Sequence, residues 1–184
     1  MPTTAPIGLY DMHFEWNTGE PYQGLLTADS QFRVLPHQTS AIITTEGGSL
    51  YSEWDNTLYE FPPGTFIDTV IVTHTVKYTD IPSFAPMVGI GHFYDVTAVY
   101  SNTGLPATPY LPYTITIGYA DWEKGSVIED SLALYNWDGA QWVPEPTSLV
   151  YPDSNQLIAH PDHFSTWGIW GETLRTFLPV TTRP

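Results

Sequence analysis

Proline and glycine punctuate this chain from end to end, with seventeen prolines and fourteen glycines in 184 residues. Proline removes an amide donor and clashes inside a helix, so few stretches are long enough for a regular helical element. Between the breaks lie short runs rich in Thr, Val, Ile, Tyr and Trp, the residues that suit a pleated, half-buried surface. In Thr69–Tyr78, Val70, Val72, Val76 and Tyr78 share one face, and Thr73, Thr75 and Lys77 the other. Tyr113–Tyr119 alternates in the same way, with Tyr113, Ile115, Ile117 and Tyr119 expected to face inward. Leu132–Trp137 and Gln141–Val143 flank Asp138-Gly139, the chemistry of a tight hairpin. No segment shows a sustained helical period with caps, and the only plausible helical turn would be a short piece near Gly24 to Ser30. Many short strands separated by turns predict an all-β fold, an antiparallel β-sandwich with extended terminal strands.

The organisation expected is an N-terminal strand arm over residues 1–20, a sandwich over 21–171 and a C-terminal strand and tail over 172–184. In the first arm Tyr10, Met12, Phe14 and Trp16 alternate with Leu9, Asp11, His13 and Glu15, an amphipathic strand in search of a sheet edge. The run Leu174–Val180 is again apolar and extended. Both arms could close their own sandwich or pair with a neighbouring molecule, which predicts self-association through terminal strands.

Charge narrows the partners. Five Lys plus Arg against twenty Asp plus Glu leave −15, which repels phosphate backbones and argues against nucleic acid. With 42% hydrophobic and 15% aromatic residues, the chain is nevertheless too apolar for an acidic disordered segment. Carboxylates at Asp11, Glu15, Glu20, Asp121, Glu123, Glu129 and Asp130 could contribute to calcium sites, but none has the spacing of a calcium loop. No cofactor is otherwise expected. There is no cysteine, which excludes disulfides and thiolate metal sites. No stretch is apolar for long enough to span a bilayer, so no membrane insertion is expected, and Met1–Pro6 lacks the pattern of a leader. If the protein is exported, its leader has been removed or lies outside this chain.

Of the six histidines, only His160 and His163 are close enough for a local chelate, with Asp162 as a third group and Pro161 between them. His74 falls on the apolar face of its strand, the position of a hydrogen-bonded core histidine. Trp137, Trp142, Trp167 and Trp170 lie in the hairpin and closing strand, where rings fill a core; a carbohydrate-binding surface would need several coplanar rings exposed. Glu129 and Asp130 are adjacent and would project to opposite faces of a strand, which argues against a glycosidase pair made by these two.

Three landmarks occur in order: Gly47-Gly48-Ser49-Leu50, then Leu58-Tyr59-Glu60-Phe61-Pro62-Pro63-Gly64-Thr65-Phe66, then His163-Phe164-Ser165. Together, across roughly residues 40 to 171, they resemble the ZU-five domain, a β-sandwich of zonula-occludens proteins, netrin receptors, ankyrins and bacterial cell-surface proteins. The resemblance implies an extracellular or cell-surface location and a structural or adhesive role. The C-terminal Arg175–Val180 also looks like a tail of exported bacterial proteins.

In some ZU-five relatives a Phe–Ser bond at the closing position cleaves itself, and the matching bond here is Phe164–Ser165. The resemblance implies Ser165 as nucleophile on the Phe164 carbonyl and His163 as the group removing its proton. In a regular strand His163 and Ser165 would share a face roughly 7 Å apart at Cβ, too far for a general-base contact without a bend. The alternative is that Phe164 plugs the core while His163 and Ser165 bond to nearby backbone groups. The main expectation is therefore a non-enzymatic surface module forming filaments by strand exchange through Tyr10, Met12, Phe14 and Trp16. A self-cleaving module and a glycan-binding module are the alternatives.

Overall fold

The computed structural model describes residues 8–17 and 25–173. The chain divides into two compact units, Met1–Pro36 and His37–Pro184. Residues 1–7 and the Leu174–Val180 run lie outside the described residues.

The first unit is a ribbon. Strand β1 (Gly8–Asn17) pairs antiparallel with β2 (Leu25–Val34) over its whole length. Tyr10 stands opposite Phe32, Met12 opposite Ser30, Phe14 opposite Ala28 and Trp16 opposite Leu26. Directly opposed residues of an antiparallel pair share a face. Most apolar positions of β1 are thus met in register by apolar positions of β2, whereas Leu9 and Leu25 stand opposite Arg33 and Asn17. The place weighed for a short helical turn, Gly24 to Ser30, is strand from Leu25 onward, where the residues belong to β2. Leu26, Ala28 and Phe32 alternate in phase with β1, and that cross-strand match overrides a weak local helical preference. The first arm thus has a partner within its own unit.

The second unit is an antiparallel sandwich. Its strands are β3 (Gln38–Ile43), β4 (Gly48–Ser52), β5 (Thr57–Phe61), β6 (Val70–Val76), β7 (Val88–Tyr100), β8 (Thr114–Gly118), β9 (Ala133–Trp137), β10 (Trp142–Pro144), β11 (Leu149–Tyr151), β12 (Gln156–Ala159) and β13 (Thr166–Gly171). One sheet has the order β10-β9-β13-β7-β6-β3 and the other β11-β12-β8-β5-β4. A short helix, α1 (Asp121–Lys124), follows β8.

Alternation in the sequence becomes burial in the fold. Val70, Val72, His74 and Val76 of β6 are buried, as are Tyr113, Ile115, Ile117 and Tyr119 in and around β8. Tyr78 departs from its expected inward place: β6 ends at Val76, and the Tyr78 ring is 58% exposed. Trp167 is fully buried in the main core, while Trp142 and Trp170 pack with Phe93 in a second cluster. The Trp137–Trp142 hairpin forms, with Asp138 Oδ1 accepting from the amides of Ala140 and Gln141 at 2.8 Å. At Gly47, φ is +86° and a Cβ would stand 2.3 Å from the Phe61 carbonyl oxygen, so only glycine allows this approach of the turn to β5. Pro62-Pro63-Gly64 ends β5, with Gly64 at φ +82°.

Candidate functional site

The closing segment lies in a bend. His163 precedes β13, which begins at Thr166, so the regular-strand geometry expected for His163 and Ser165 does not apply. The Phe164 ring packs against Phe61, Phe66 and Tyr113, with centroids 5.3–6.3 Å away. Ser165 Oγ donates to the Trp137 carbonyl at 3.1 Å, and the Ser165 carbonyl accepts the Val96 amide. His163 Nδ1 instead faces Asp162 Oδ1 at 3.1 Å, and its ring lies 5.2 Å from that of Trp167. The His163 carbonyl takes a hydrogen bond from the Tyr113 hydroxyl at 3.0 Å.

Nucleophile, base and scissile carbonyl therefore sit side by side in sequence, but the hydroxyl proton points to a main-chain oxygen. Among the described residues, non-glycine positions with positive φ are Asn56, Asp80 and Asn155, none of them in this segment. No cis peptide bond falls in this segment either.

A groove of about 510 Å³ beside the segment is lined by Pro112, Pro144, Glu145, His160, Asp162 and His163, among others. Glu145 is buried, with Oε1 accepting from the Thr147 amide and hydroxyl. His160 Nδ1 meets Thr114 Oγ1 at 3.2 Å. Among the described residues no group of three or more His, Asp or Glu side chains is arranged to hold a metal ion. Of the carboxylates weighed for calcium, Asp121 and Glu129 both contact Lys124 Nζ, and Glu123 Oε2 lies 3.4 Å from His92 Nε2. Glu129 and Asp130 occupy a 3-10 turn rather than a strand, and Glu129 also accepts from the Tyr119 hydroxyl.

The strongest electrostatic centre lies inside the sandwich, where β6 ends and β5 begins. Tyr59 on β5 meets His74 Nδ1 on β6 at 2.7 Å, and His74 Nε2 stands 3.0 Å from Asp55 Oδ2 in the β4–β5 turn. On β7, Tyr94 places its ring 4.7 Å from His74, and His92 Nε2 lies 3.4 Å from Glu123 of α1. His74 is fully buried, His92 is 2% exposed and Asp55 7%. Ser52 Oγ, both Asp55 oxygens, His74 Nε2, both His92 ring nitrogens and the Tyr94 hydroxyl are sealed from solvent without a well-aligned hydrogen-bond partner. Burial alone would push the Asp55 carboxyl up. The bond and charge of His74, with help from Ser52 and His92, more than offset it and hold the group below its usual value. Glu123 is lowered in the same way: burial opposes, while His92 and the Ala120 amide prevail. Burial pushes the Tyr59 and Tyr94 phenols well up, so both stay protonated.

Sequence reading placed His74 in the core but missed this assembly. Its members come from β4, β5, β6, β7, α1 and a turn, and no local spacing joins them. Outside it, the Trp54 ring meets Tyr78 edge-on at 5.6 Å and 76°, so these exposed rings are not the coplanar platform a sugar face would need. No family model matches the chain, and no curated protein is significantly similar to it in sequence.

Proposed function

We propose that the chain is an extracellular structural or adhesive β-sandwich module of the ZU-five type, which assembles through its N-terminal strands. The observation that carries this reading is the β1–β2 ribbon, a two-stranded sheet in a compact unit of its own. A lone two-stranded hairpin is marginal in water and gains stability when a third strand or another layer covers its apolar face. In the ladder Tyr10 stands opposite Phe32, Phe14 opposite Ala28 and Trp16 opposite Leu26, so the apolar alternation of β1 is matched in register by β2. The extracellular location follows from the resemblance of the three landmarks.

The closing segment supports a non-catalytic role, since Ser165 Oγ is committed to a carbonyl and His163 to Asp162. Light scattering and negative-stain microscopy of the purified full chain test the reading: concentration-dependent polymers are expected, and a monomer at every concentration would overturn it. A denaturing gel covers the alternative, because cleavage after Phe164 would release a fragment of about 20 residues, whereas a single full-length band is expected.

A further inference from the structure

We infer that α1 is a lid over the buried His92 ring, which lifts between two pinned ends while the sandwich stays folded, with the Glu123 side chain as its latch. Tyr119 pins the segment on one side. It is buried in the core, and its amide donates to the Asn155 carbonyl at 3.0 Å. Val127 pins the other side: it is buried in the same core and bridges to Thr173, and the next amide, that of Ile128, donates to the Glu172 carbonyl at 2.8 Å. Between these anchors, residues 120–126 bury no side chain. Trp122, the large apolar residue of α1, is 80% exposed.

What holds α1 down is therefore polar. Glu123 Oε2 lies 3.4 Å from His92 Nε2 and accepts from the Ala120 amide at 2.5 Å. Lys124 Nζ ties the helix to Glu129, which lies beyond the Val127 anchor. Water competes for partly exposed contacts of this kind, and a segment with no apolar anchor gives up little buried surface when it opens. Gly125 follows the helix at φ +51°, where a Cβ would meet nothing within 4 Å, so the backbone can pivot there.

Beneath the lid both ring nitrogens of His92 are sealed without a well-aligned partner. Water reaching the ring supplies the bonds that it lacks, which offsets part of the cost of opening. His74 is placed differently. Its neighbours Tyr59 and Asp55 come from β5 and the β4–β5 turn, so lifting α1 removes neither. The lid thus separates two buried histidines, one reached by local opening and one only by unfolding of the sandwich.

Diethyl pyrocarbonate acylates accessible neutral imidazoles, and peptide mass spectrometry of the labelled full chain at neutral pH reads each histidine separately. In the wild type the exposed His37 and His160 should react first, His92 later and His74 last. Glu123→Gln should raise the His92 rate about tenfold, through loss of one charge-assisted contact, and leave the His74 rate unchanged. Trp122→Ala should change neither rate, since the exposed ring does not hold the lid. If Glu123→Gln fails to fold, Lys124→Gln releases the second tether and should also speed His92 alone. A common rate for His92 and His74 in the wild type, or rates that rise together in a variant, would mean that only global unfolding exposes His92 and would overturn the lid. A His92 rate unchanged by both Glu123→Gln and Lys124→Gln would overturn it as well.

Discussion

The closing segment and the buried centre around His74 are built from the same residue types and behave in opposite ways. At His163–Ser165 an imidazole, a carboxylate and a hydroxyl lie within four residues, His163 is 43% exposed, and each group has a local partner. Around His74 the same chemistry is gathered from separate strands and sealed from water, and several polar atoms lack aligned partners. Reactive types close in sequence are here spent on routine hydrogen bonds. Charge coupling is strong where burial removes the competition of solvent.

That contrast is sharpest in paired alanine variants. His74→Ala strips the buried Asp55 carboxylate of its main partner and should cost about 3–5 kcal/mol of stability by urea unfolding. His163→Ala should stay within about 0.5 kcal/mol. Equal losses would erase the distinction between the two regions. Tyr59→Phe keeps the ring and removes the hydroxyl that meets His74 Nδ1, so a smaller loss of about 1–2 kcal/mol is expected in the same assay.

Acid sharpens the comparison without mutation. Asp55 and Glu123 are both held below ordinary carboxylate values. Their contribution is therefore present above the unfolded carboxylate pKa of about 4 and is lost as pH falls through the lowered folded values. Unfolding free energy measured from pH 6 to pH 2 should fall in that acid window. With His74→Ala the slope should become shallower or reverse, because burial then raises Asp55; an unchanged slope would remove the centre from the acid response. The smallest effect is expected at Ser165→Ala, about 1 kcal/mol or less from the lost bond to the Trp137 carbonyl, with the same single band on a denaturing gel.

Sequence alternation located β6 and the strand around Ile115 and Ile117, and the Asp138-Gly139 turn located the β9–β10 hairpin, because burial of one face leaves a period of two in the residues. It misplaced Tyr78, which follows the pattern past the end of its strand, and residues 25–30, whose strand form depends on pairing with β1. The candidate chemistry was legible only where residues are neighbours in the chain.

By itself, then, the sequence determined the class of fold, the places where the chain turns and the acidity of the surface, since these follow from local sterics, periodicity and summed charge. Tertiary structure alone decided that Ser165 bonds to a carbonyl from another strand and that Asp55, His74, His92 and Glu123 share one buried centre. Each of these depends on sheet order and register, which bring distant residues together and control how much water remains between them.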